Sequence, residues 1–200
     1  MPLVRRPSPP AEPAAVLPDA PLVVGQGTSE QRWLAVRTAA ERKDVPLLAS
    51  ALQGESDARV REAIFTGLAR IGTAESAAAL VPYLRSDDAS LRTGAIDALR
   101  AMPDAVRAHL ATLLADPDPD VRLLSCELVR GLPESEANRM LCDLLERETE
   151  KNVCAAALEV LAEIGKAEAL PTLERCADRF ASDAFIAFSI KVATDRIVRS

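Results

Sequence analysis

Aromatic side chains are scarce here: four Phe, one Tyr and one Trp make up 3% of the 200 residues. Sheets favour aromatic and β-branched residues, so this poverty argues against an all-β architecture. Histidine occurs once, as His109. A metal centre built from several imidazoles is therefore excluded, and a hydrolytic triad around His109 lacks a visible nucleophile and orienting acid. No apolar run reaches the roughly 18 residues of a membrane span. The opening MPLVRRPSPPAEPAA lacks the unbroken apolar stretch of a secretory signal. The expectation is a soluble, cytoplasmic, non-enzymatic protein that needs no cofactor. The four cysteines, Cys126, Cys142, Cys154 and Cys176, show no C-x-x-C spacing. Three fall where the helical pattern wants a buried side chain, so they are expected to be reduced core residues.

Proline is abundant at one place only. Seven of the fourteen prolines lie in the first 21 positions. Residues 1–28 are therefore expected to form a Pro-rich, extended or disordered tail. The net charge of −6 is also unevenly placed. Residues 1–100 hold 12 acids and 12 bases, and residues 101–200 hold 18 acids and 12 bases. A nucleic-acid site needs a basic stripe that releases counterions, so nucleic acid is a poor partner for the C-terminal half. Arg outnumbers Lys twenty to four, which suggests a GC-rich bacterial genome.

What is present is repetition. Thirteen residues recur four times: Val60–Gly72, Leu91–Pro103, Val121–Pro133 and Val153–Gly165, with starts 31, 30 and 32 apart. Position 6 is Phe65, Ile96, Cys126 and Leu158, and position 9 is Leu68, Leu99, Val129 and Leu161. This spacing puts both sets on one helical stripe. Position 7, with Thr66, Asp97, Glu127 and Glu159, is the wet side. Gly or Pro at position 13 stops the helix. Asp57, Asp88 and Asp118 stand three residues before the first position as expected N-caps, with Glu150 in the fourth copy. Leu-rich second helices follow, and Pro82 is expected to kink or shorten one of them. A fixed period of this size predicts a stack in which each unit is buried only by its neighbours. The expected architecture is an all-α, right-handed α-solenoid of about five helix pairs with repeats near 29–54, 57–86, 88–116, 118–147 and 150–181, closed by a helix at 183–198.

The phrases Asp57-Ala58-Arg59-Val60-Arg61-Glu62-Ala63 and Ile71-Gly72-Thr73-Ala74-Glu75 resemble the short HEAT-like repeats of phycobilisome lyase subunits and many small bacterial proteins. The resemblance covers about 29–197 and is specific for fold rather than activity. It implies an Asp/Arg ladder between units, here through Arg32, Arg61, Arg92 and Arg122, ending where Cys154 replaces the arginine. It also implies a concave face lined by second helices that binds another protein. Candidate contacts there are Arg85, Arg107, Arg139, Asp143, Glu146, Arg147, Glu174 and Arg175, with an acidic cluster of Glu134, Glu136, Asp143, Glu146, Glu148 and Glu150 facing a basic partner. Trp33, Phe185, Ile186 and Phe188 are candidate end-interface residues for a homodimer. The leading expectation is a protein-binding adaptor, for instance in bacterial signalling. The alternatives are a bilin lyase-like chromophore chaperone and, less favoured, a nucleic-acid-binding protein of HEAT-like type.

Overall fold

Short polar side chains set where the first helices begin. In the computed structural model, which describes residues 27–199, Thr28 caps α1 (Ser29–Glu41) in a reciprocal box with Gln31. Asp57, Asp88 and Asp118 cap α3 (Ala58–Ile71), α5 (Ala89–Arg100) and α7 (Pro119–Val129). Each carboxylate accepts the backbone N–H two residues ahead, at 2.9, 2.8 and 2.9 Å. Glu150 stands before α9 (Lys151–Ile164), but its longer side chain makes no cap bond. The tail expected at 1–28 lies, for residues 1–26, outside the described part.

The second helices are α2 (Val45–Gly54), α4 (Ala74–Leu80), α6 (Pro103–Leu113), α8 (Glu134–Arg147) and α10 (Leu170–Arg179), with α11 (Ala184–Arg199) last. Pro82 acts as expected. Helix α4 stops at Leu80, and a 3₁₀ turn, Val81–Arg85, carries the proline in its first turn. The prolines at position 13 do more than stop a helix. Pro103 opens α6 and Pro133 caps α8, since a missing N–H costs nothing there. Gly72 closes α3 at φ +66°, a left-handed conformation that favours glycine.

Among the described residues there are eleven α-helices and no strand. Helices α1, α3, α5, α7, α9 and α11 form one row, each packed on the next. Behind it α2 lies beside α4, α4 beside α6, and α8 beside α10. A single apolar seam runs between the rows from Val36 to Ile197. Phe65, Ile96, Cys126 and Leu158 are all buried in it, as are Leu68, Leu99, Val129 and Leu161. Each fully buried leucine contributes about 1.5–3 kcal/mol relative to exposure. Gly94 is a close-approach site: a Cβ there would lie 2.2 Å from the Phe65 ring.

One candidate interface residue is not at the surface. Ile186 is fully buried, because in α11 it points inward with Ile190, Ala193 and Ile197. Phe185 and Phe188 remain 60% and 65% exposed.

Candidate functional site

The seam arginines work between repeats. Arg32 of α1 grips Glu55 with two N–H groups, at 2.8 and 2.9 Å. Arg122 of α7 grips Glu148 the same way, at 2.7 and 2.9 Å. Arg61 reaches Asp88 at 2.8 Å, and Arg92 donates to the Ser86 carbonyl. The ladder therefore exists, but its acids differ from the expected ones. Glu55 and Glu148 stand two residues before the cap, as does Asp116, whose partner Arg85 lies outside the ladder; all three are buried. Of the capping aspartates of α3, α5 and α7, only Asp88 also pairs with a ladder arginine among the described residues. Cys154 ends the column as expected, and its thiol points at the Glu148 carbonyl.

These pairings shift the acids. Arg32 and the backbone N–H groups of Asp57 and Ser56 hold Glu55 below the usual carboxylate range despite its burial. Burial pushes the Glu148 carboxyl up, but Arg122 and the N–H groups of Glu150 and Thr149 outweigh it and hold the group low. Asp88 is pulled to about 2 by the Ser90 hydroxyl, the Ser90 N–H and Arg61.

On the second-helix face the same network absorbs most of the candidate contacts. Arg85 pairs with Asp116, Arg107 with Glu136, and Arg175 with Glu146. Arg147 donates to the Asp143 and Leu114 carbonyls at 3.0 and 3.2 Å. The acidic cluster dissolves likewise, with Glu134 on Lys166 and Glu148 buried against Arg122. Arg139 and Asp143 instead line an open groove of about 410 Å³ with Asn138, Cys142, Lys166 and Glu168. Glu174 is exposed.

Three further grooves lie on the first-helix row. One of about 350 Å³ runs between α1 and α3, lined by Trp33, Arg37, Arg59, Glu62, Thr66 and Arg70. Another, of about 500 Å³, lies between α3 and α5 over Phe65, Ala69, Ala98 and Ala101. A third, of about 370 Å³, lies between α9 and α11, where Phe185 and Phe188 face Leu158, Glu159 and Glu163. Trp33 is half-buried between two guanidiniums, Arg37 at 4.9 Å and Arg59 at 4.8 Å from the ring centroid. Trp33 stands out in the sequence more plainly than the arginines around it. The signal was the position-7 column, where acids give way to Thr66 and then, in α1, to Arg37.

The cysteines are packing elements. Cys126, Cys154 and Cys176 are free and buried, and Cys142 is half-buried. Burial pushes the Cys126 thiol up to about 12. His109 is half-buried on α6. Among the described residues no three His, Cys, Asp or Glu side chains cluster as metal ligands, and no helix is long and apolar enough to cross a membrane.

Comparison with known proteins agrees with this geometry. A family described as HEAT repeats matches residues 25–100 and 106–184. The match identifies HEAT repeats as such and does not single out the lyase type. Among solved structures, an archaeal HEAT-like repeats protein from Thermococcus onnurineus NA1 aligns at 17% identity with a TM-score of 0.55, covering 88% of this chain and 84% of that one. A designed armadillo repeat protein aligns at 14% identity and a TM-score of 0.42, covering 86% of this chain and 96% of that one. No curated protein matches the sequence. With most of its length matched by the family and its helices paired and stacked in the same manner, this chain belongs to the HEAT-repeat family.

Proposed function

We propose that this chain is a non-catalytic adaptor that holds another protein on its second-helix face. Repeat solenoids suit such work because a rigid stack presents a long surface that needs little ordering on binding. The observation that carries the reading is the groove around Arg139 and Asp143. Neighbouring arginines on that face are tied to acids of adjacent repeats, whereas the Arg139 and Asp143 side chains make no ion pair with any described residue. Charges left free on a rigid surface are available for recognition.

The test is cross-linking in the native cell with the wild-type chain and with an Arg139→Glu/Asp143→Arg variant. A protein captured by the wild type and lost from the variant, at unchanged melting temperature, supports the reading. Identical capture by both removes this face. The identity of that protein also decides the finer part of the proposal, a cytoplasmic role in bacterial signalling.

A second reading has its own observation. Phe185 and Phe188 are large, more than half exposed and adjacent on α11, and exposed aromatics are common interface anchors. Two copies would meet there. Sedimentation of the wild type as a monomer at high concentration removes this reading; a dimer lost in Phe185→Ser/Phe188→Ser supports it.

A further inference from the structure

Arg32, Arg61 and Arg122 each meet an acid across a repeat junction. Three arginines on the outer side of α1 and α3 do not. Arg59 and Arg70 make no ion pair with any described residue. Arg37 reaches Glu41 only at 4.0 Å, with both side chains about half exposed. All three line the groove beside Trp33, where Glu62 is the one acid. On a chain of net charge −6 this is a local excess of positive charge.

The groove continues. Glu62 and Thr66, exposed on the crest of α3, line both it and its neighbour, so the two grooves adjoin across α3 as one trough from α1 to α5. Helices packed about 8–10 Å apart put α5 roughly 16–20 Å from α1, a span that about fourteen residues of a docked helix cover. The α3–α5 part has an apolar floor of Phe65, Ala69, Ala98 and Ala101, with Asp97 on its far wall.

Charge along the row gives the trough a direction. Equivalent positions on α1, α3, α5, α7 and α9 are Arg37, Thr66, Asp97, Glu127 and Glu159. An anionic ligand is drawn to the α1–α3 end and repelled from the remainder. An extended polyphosphate gains little from the apolar floor and meets Glu62 and Asp97. A peptide can place acids at one end and apolar side chains at the other.

We propose that the α1–α3–α5 trough docks an acidic amphipathic segment of another protein. Its carboxylates meet Arg37, Arg59 and Arg70, and its apolar side chains lie on Trp33 and over Phe65. This rests on the reading of the chain as a protein-binding module, but uses a different face from Arg139 and Asp143.

Trp33 is the one tryptophan of the chain and sits in the groove, so its emission reports occupancy. The probe is a fourteen-residue helical peptide with Glu clustered towards one end and Leu along one face, beside a version with Lys for Glu and a duplex DNA. The proposal expects a saturable change in Trp33 emission with the Glu peptide only, weakening as salt rises from ~50 to ~300 mM. Arg37→Ser/Arg59→Ser/Arg70→Ser should weaken it by about tenfold or more at an unchanged melting temperature. Arg139→Glu/Asp143→Arg should leave it intact, which separates this surface from the second-helix reading. No saturable change, an equal response to the Lys peptide, tighter binding of DNA, or full retention in the triple variant overturns it.

Discussion

Two sets of arginines in this molecule are chemically identical and do opposite things. Arg32, Arg61 and Arg122 lie on the seam, where each guanidinium spans a repeat junction and satisfies an acid and a backbone carbonyl. Arg37, Arg59 and Arg70 lie on the outer side of the first two repeats around an indole. The first set has its charge cancelled from within; the second leaves it for something else. The difference comes from burial. A carboxylate taken out of water at Glu55 or Glu148 must be paired, whereas an exposed guanidinium is solvated and needs no partner.

The comparison can be broken in several places. The largest effect sets the scale of the seam itself: Leu99→Ala removes a fully buried side chain and should cost about 2–5 kcal/mol in urea unfolding. Next is Arg122→Ala, which strands the buried Glu148 and should cost about 2–3 kcal/mol. That pair also has a pH signature. The Glu148 carboxyl lies below its ordinary 4.5 in the folded chain. Its stabilisation is thus complete above that value and is lost as pH falls through the lowered one. Melting curves should be level from neutral pH to about 5 and drop below about 4.5, and the drop should be smaller in Glu148→Gln. Gly94→Ala drives a methyl into the Phe65 ring and should cost about 1–3 kcal/mol; pairing it with Phe65→Leu should recover part of the loss. The smallest effects belong outside. Asp97→Ala and Arg70→Ser, both at exposed positions, should each change stability by less than about 0.5 kcal/mol.

Much of the architecture is written locally. Asp57, Asp88 and Asp118 announce helix starts because capping acts within three residues, and the stripe through Phe65 and Leu68 follows from helical period alone. What was not legible depends on neighbours far along the chain. Glu55, Asp116 and Glu148 look like ordinary loop acids until an arginine more than twenty residues away is seen against each of them. Asp57 and Asp118, the acids beside the arginines in the repeated phrase, cap their own helices. Ile186 reads like Phe185 and Phe188 because α11 is apolar over most of its turns; packing on α9 and α10 decides which side faces in. The ion pairs of the second helices are equally non-local. Arg107 and Arg175 read as free surface charges, and each has an acid on the adjacent repeat. Trp33 was visible as an oddity, but the groove around it needs Arg59 and Arg70 from the next repeat.

The division of labour between the two arginine sets is tested most directly by thermal melting of Arg122→Ala beside Arg37→Ser/Arg59→Ser/Arg70→Ser. For a chain of this size about 1 kcal/mol moves the midpoint by roughly 2–4 °C. The seam variant should therefore melt about 5 °C or more below the wild type, and the triple variant within about 2 °C of it. Equal losses in the two, or a larger loss in the triple variant, would contradict the account.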